Sequence, residues 1–253
     1  MDKPHKTVKM KGKRLSTLWN NRKKDKSMST PRLKKIIDYV NTRVAADIGT
    51  DHAYVPIELI KSKRAARVIA SDVRRGPLYI AKSNIAENGL SDKIETRLGS
   101  GLSVLSPGEA DTVIIAGMGG ELIADILSKD DMTARQAELI LQPMNSQYEL
   151  RRWLIDNNYT ILKEDLENEG KRIYNILIVK SGRMRPYPKD IDYHLPPELY
   201  QHPEFHMLVD KKEREFNKII NGIERSKEPD TEKLKYYKNR LNDLENIKND
   251  YCK

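Results

Sequence analysis

The chain has 253 residues, 38% hydrophobic and 33% charged, with a net charge of +9 and one cysteine, Cys252. That length holds one domain of roughly 150–200 residues and a smaller one, and a lone cysteine excludes a disulfide framework or a thiolate metal cage. No apolar run nears the ~18 residues that span a bilayer, and the N-terminus lacks the apolar core of a signal peptide, so a cytoplasmic soluble protein is expected. The charge is uneven. Residues 1–27 hold ten Lys/Arg against Asp2 and Asp25, which leaves residues 28–253 close to neutral. This tail has few apolar residues and no helical period, and it reads as a disordered basic arm. Either it neutralises RNA phosphates, or it is dispensable, or translation starts at Met28.

Four α/β units follow. Ser29-Thr30-Pro31 is a helix start signal, and Leu33, Ile36, Ile37 and Val40 recur at helical spacing. Strand one is expected over about 43–48 with its helix over 54–62, and strand two over Arg67–Asp72 with a helix from Pro77 to Asn88. Strand three spans about 93–98. Strand four, Thr112-Val113-Ile114-Ile115-Ala116, is a continuous apolar run of the kind a buried parallel strand requires. It breaks at Gly117-Met118-Gly119-Gly120 and enters a helix over 121–128. Strand five, Leu139–Leu141, leads through Gln142-Pro143 to a helix over 147–157. Tyr159–Glu167, the turn Asn168-Glu169-Gly170 and Lys171–Lys180 then read as a β-hairpin.

A parallel α/β sheet ending in an antiparallel hairpin is the organisation of class I methyltransferases, placed here over 28–182. Residues 183–203 are rich in proline and read as a linker. In 204–253, Leu208, Phe216, Ile219 and Ile223 form one apolar stripe. Leu234, Tyr237, Leu241, Leu244 and Tyr251 form a heptad-like second, with Ile247 one place off register. Glu228-Pro229-Asp230 separates the two, so a coiled-coil-like helical hairpin is expected. Its role is mutual packing, with a grip on a large substrate as an added possibility.

The stretch Asp47-Ile48-Gly49-Thr50-Asp51-His52-Ala53-Tyr54 lies between a strand and a helix, where α/β proteins hold nucleotide-like cofactors. A dinucleotide loop wants three glycines to approach a pyrophosphate, whereas this loop has only Gly49 and carries two carboxylates. Carboxylates repel phosphate and suit a cationic ligand such as S-adenosylmethionine. Asp72 closes strand two, 23 residues beyond Gly49, within reach of ribose hydroxyls; alone it is equally a turn former or cap. Gly99-Ser100-Gly101 ends strand three where an adenine edge can meet backbone, and Gly117 and Met118 end strand four beside the same cleft. The glycines of 117–120 suit a flat ligand against backbone or close packing of the next helix. His52 serves as a helix cap, a polar clamp or a base, and Tyr54 stacks on a base or packs in the core. No histidine pair inside the α/β region has metal-ligand spacing, His202 and His206 are four apart but separated by Pro203, and no metal is expected.

These segments resemble the bacterial tRNA adenine-22 N1-methyltransferase (TrmK) family. The resemblance is carried by Pro31-Arg32-Leu33, Ala46 to Pro56, Ala70-Ser71-Asp72 with Gly76-Pro77-Leu78, Arg97 to Leu102, Ile115 to Gly120, Leu139 to Pro143, Leu150 to Leu154 and Glu164 to Ile176. It covers about residues 29–180, with departures at Ser100 and Met144. It implies methyl transfer from S-adenosyl-L-methionine to N1 of an unpaired or flipped tRNA adenosine. The implied cofactor-binding residues are Asp47, Gly49, Asp51, His52, Asp72, Gly99, Ser100, Gly101, Gly117 and Met118. Asp51, His52, Tyr54 and Gln142 are the catalytic candidates. The partner is tRNA, with neither membrane nor metal, and the protein is expected to be a monomer. The alternatives are methylation of another RNA or DNA site, a non-catalytic RNA-binding protein that keeps the cofactor fold, and, poorly matched, a nicotinamide-dependent oxidoreductase.

Overall fold

The computed structural model describes residues 30–252; the basic segment 1–27 lies outside them. Thr30 caps helix α1 (Pro31–Tyr39), its side chain accepting from Leu33 N, with Pro31 in the first turn. The alternating elements are β1 (Thr42–Ile48), α2 (Tyr54–Lys61), β2 (Ala65–Asp72), α3 (Arg75–Glu87), β3 (Ile94–Leu98), β4 (Thr112–Met118), α4 (Gly120–Lys129), α5 (Asp131–Arg135), β5 (Glu138–Pro143) and α6 (Gln147–Asp156). An antiparallel hairpin, β6 (Tyr159–Glu169) and β7 (Arg172–Ser181), completes the sheet, and helices α7 (Phe205–Glu224) and α8 (Thr231–Tyr251) close the chain.

The seven strands run in the order β3-β2-β1-β4-β5-β7-β6, with β7 antiparallel to β5 and β6. This is the expected Rossmann-like α/β sheet with a C-terminal helical pair. The chain reverses direction across the sheet between β1 and β4, so a crevice opens at the carboxyl ends of the strands there. Register brings those ends together: Asp47 of β1 pairs with Ala70 of β2 and Ile114 of β4, and Asp72 pairs with Leu98 of β3. The central strands are apolar on both faces because helices cover both. One core layer includes Ile48, Ile69, Val113 and Leu139, and the other Ala45, Val68, Ile114 and Ile140.

Several boundaries differ from the sequence reading. β2 starts at Ala65 and α3 at Arg75, and the hairpin turns at Gly170-Lys171, where Gly170 has φ +68°. The segment read as a linker holds two 3₁₀ turns, Asp190–Tyr193 and Pro197–Leu199, and buries Ile191, Leu195 and Leu199. These side chains share a core with Leu166 and Ile173 of the β-hairpin and with Phe205, Leu208, Phe216 and Leu244 of the helices. On α8 the buried residues are Leu244 and the off-register Ile247, so packing concentrates near the sheet end of the helical pair. A fully buried ion pair anchors the junction. Arg151 of α6 donates through Nε to Glu164 (2.9 Å) and through Nη1 to the Tyr193 carbonyl (2.7 Å), while Asn175 Nδ2 donates to Glu164 (2.7 Å). Among the described residues, no helix is long and apolar enough to cross a membrane, and no group of three or more His, Cys, Asp or Glu is placed to hold a metal.

Candidate active site

A cavity of about 640 Å³ lies at the carboxyl ends of β1 to β4, bounded on the far side by α1 and the segment after β5. Its floor is the β1–α2 loop. Gly49 N and Thr50 N both donate to the Ser71 carbonyl (2.8 and 2.7 Å), which folds the loop back over the end of β2. Gly49 has φ +79°, so this position requires glycine for its backbone, and the Met118 methyl end packs over it where a Cβ would stand. His52 and Ala53 follow, with φ of 56° and 58°. Two consecutive non-glycine residues in the left-handed region represent stored backbone strain, of a kind that concentrates at functional sites.

Asp47 is the electrostatic centre of the cavity. Its carboxyl is buried and pushed up to about 6; burial is the largest cause, the Thr50 hydroxyl opposes it, and the Asp51 and Asp72 carboxylates add to it. No described lysine, arginine or histidine compensates this group. A buried carboxylate left in that state calls for a cationic ligand. Asp72, also buried, accepts from Arg74 N at 2.7 Å and keeps its other oxygen available to a donor such as a ribose hydroxyl. Gly99, Ser100 and Gly101 continue the cavity wall beyond β2, and Gly117 and Met118 form it beyond β4.

The catalytic candidates separate. Asp51 and Tyr54 line the cavity, Asp51 with its side chain 83% exposed and 3.3 Å from His52 Nε2. His52 stands outside the lining. Its ring stacks on Tyr54 with centroids 5.4 Å apart and planes 11° apart, and its carbonyl accepts from Asn84 Nδ2 (2.9 Å). Gln142 is fully buried behind the wall with both ends of its amide engaged. Oε1 accepts from Arg32 Nη1 (2.5 Å) and Gly117 N (3.2 Å), and Nε2 donates to the Pro143 carbonyl (3.0 Å). It therefore shapes the wall without reaching the cavity. The residue that does reach it from this side is Arg32 of α1. The sequence offered no signal for it beyond its place in the motif Pro31-Arg32-Leu33, because its partners lie 110 and more residues away.

The glycine run after β4 has two uses. Gly117 lines the cavity, whereas a Cβ on Gly120 would stand 2.3 Å from the Ser146 carbonyl oxygen, so Gly120 allows α4 to pack against the β5–α6 loop. An acidic floor, a second buried carboxylate with an uncommitted oxygen and glycine backbone at the end of β4 together suit a nucleoside ligand that carries a positive charge.

Comparison with known proteins agrees with this geometry. Residues 29–177 match a family model described as a methyltransferase domain. The chain is 40% identical over 154 residues to the tRNA (adenine(22)-N(1))-methyltransferase of Bacillus subtilis, a match spanning 60% of this chain and 64% of that protein, just under two thirds of its length. The fold superposes on the crystal structure of the B. subtilis m1A22 tRNA methyltransferase TrmK with a TM-score of 0.78 at 30% identity, covering 87% of this chain and 98% of that one. It superposes on M. capricolum TrmK, solved with the cofactor product S-adenosyl-homocysteine, with a TM-score of 0.74 at 26% identity, covering 87% and 97%. On the matched domain, the strand order and the near-complete coverage of these structures, the chain belongs to the TrmK family of methyltransferases.

Proposed function

We propose that this protein transfers a methyl group from S-adenosyl-L-methionine to N1 of an adenosine in tRNA, at position 22. The observation that carries the reading is Asp47, a buried carboxylate without a countercharge, beside Gly49 and Asp72. S-Adenosyl-L-methionine supplies an electrophilic methyl group and leaves as S-adenosylhomocysteine, while N1 of adenine gains the methyl group and a positive charge. Asp47 is assigned the cofactor's cationic methionine end, Asp72 its ribose, and Gly99, Ser100 and Gly101 its adenine. N1 is unprotonated near neutral pH, so its lone pair attacks without a strong base. The enzyme's work is to expose, align and electrostatically support the base. Gly117 and Tyr54 are assigned to hold the flipped base, and Asp51 to support the charge that develops on it. The helical pair, with Arg214 and Lys218 on α7 and Arg225 capping its C-terminus, is assigned a supporting contact with the tRNA, and a monomer acting in the cytoplasm fits these roles.

The relatives support the same reading through their names and the bound cofactor product. The test is binding followed by turnover. S-Adenosyl-L-methionine is expected to bind and NAD not to, and unmodified tRNA is expected to yield 1-methyladenosine as its methylated nucleoside. NAD binding, or cofactor binding with no methylated nucleoside on any tRNA, would overturn the proposal.

A further inference from the structure

Arg32 is a half-buried cation of the cavity wall that is held in place and still has donors to spare. Its backbone N donates to Glu169 Oε1 (3.0 Å), Nη1 donates to Gln142 Oε1 (2.5 Å) and leans on Met144 Sδ (3.4 Å), and the guanidinium stands 4.9 Å over the Tyr174 ring. These contacts fix its plane. Nε is buried without a hydrogen-bond partner, with Glu169 Oε1 4.0 Å away, and among the described residues Nη2 has no partner either. Of the other cations of the lining, Lys129 bonds Asp125 at 2.7 Å, and Arg74, its side chain 74% exposed, lies 3.5 Å from Asp72 at the β2 end. Arg32 also stands on the β5 side of the cavity, across β1 and β4 from Asp72 and beside Gly117 and Met144.

RNA offers a guanidinium there ring nitrogens, base carbonyls, ribose hydroxyls and phosphates, of which only the phosphate is anionic. The adenine ring becomes cationic as N1 is methylated, so a fixed positive charge against the ring would oppose the reaction. A phosphodiester stays anionic throughout and matches the planar fork. We propose that Arg32 binds a phosphate flanking the flipped adenosine and so positions the target nucleotide, with Gln142 holding the guanidinium in place. The proposal rests on the tRNA reading given above. It names the group through which the nucleotide is held.

The test compares kcat/KM for tRNA from 50 to 200 mM salt in wild type, Arg32→Gln and Arg32→Lys, with the affinity for S-adenosylhomocysteine measured alongside. Arg32→Gln is expected to lose about 10- to 100-fold in kcat/KM. Its salt dependence should flatten by about one phosphate contact, with cofactor product affinity within about twofold of wild type. Arg32→Lys should keep the wild-type salt slope. Synthetic substrates with a neutral methylphosphonate at either flanking phosphate test the contact in unaltered protein. One of them should cost wild type the same factor and cost Arg32→Gln nothing more. An unchanged salt slope in Arg32→Gln, a parallel loss of cofactor affinity, or no effect of either methylphosphonate on wild type would overturn the proposal. Wild-type protein that methylates no tRNA would take down the tRNA reading and this inference together, whereas active wild type with an indifferent Arg32 removes only the inference.

Discussion

Replacing Asp47 by asparagine should make the ligand-free protein more stable and nearly unable to hold its cofactor. The folded carboxyl titrates at about 6 against 3.8 for the ordinary group. An unfolded chain has therefore already lost a proton that the folded chain still holds across this window. Stability of the ligand-free protein falls as pH rises from about 4 to about 6 and stays reduced above. At about 1.4 kcal/mol per pH unit of displacement, the full loss is about 3 kcal/mol, of which about half falls between pH 5 and pH 8. Asparagine cannot ionise and has no such decline. Urea unfolding of both proteins at pH 5 and pH 8 reads the effect, with the gap in favour of Asp47→Asn widening by that amount. Calorimetry with S-adenosyl-L-methionine reads the other half, an affinity loss of about 10- to 100-fold in Asp47→Asn from the missing charged partner. Wild-type affinity should also weaken below about pH 6, where Asp47 takes up its proton. A stability gap that does not change with pH, or cofactor binding as tight as wild type, would refute the electrostatic assignment.

Two further changes probe how the scaffold supports the site. Gly120→Ala places a Cβ 2.3 Å from a backbone oxygen that cannot swing aside, so urea unfolding should show a loss of about 1–3 kcal/mol. An unchanged midpoint there would mean that the β5–α6 loop is free to move. Arg151→Met strands Glu164 in the core with only Asn175 to serve it and leaves the Tyr193 carbonyl without its donor. The expected cost is about 3–5 kcal/mol of stability with no specific change in cofactor affinity, and a loss below about 1 kcal/mol would contradict the role assigned to the buried pair.

The parallel strands were legible because each is a short apolar run bounded by a turn, as Val113, Ile114 and Ile115 illustrate. Likewise, Asp47, Gly49 and Asp72 fall at strand ends where register alone sets them beside one another. What the sequence concealed depends on distant partners. Arg32 reads as an ordinary helix residue until the fold brings Gln142 and Glu169 to it. Gln142 sits at a strand end like the residues that do face the cavity, yet its amide is consumed by Arg32 and by Gly117 N. His52 has the chemistry of a base, but the loop's left-handed turn lays its ring against Tyr54, outside the lining. The segment after the hairpin looked like a linker because proline breaks any period. Its buried Ile191, Leu195 and Leu199 come from two short 3₁₀ turns and the stretch between them, packed in one core with the helical pair.

The central claim is site-specific methyl transfer, and paired tRNA transcripts that differ only at position 22 test it most directly. Purified protein, S-adenosyl-L-methionine and each transcript would be incubated and the products digested for nucleoside mass spectrometry. 1-Methyladenosine is expected from the transcript with adenosine at position 22 and none from the one with guanosine. Equal 1-methyladenosine from both transcripts, or none from either, would contradict it.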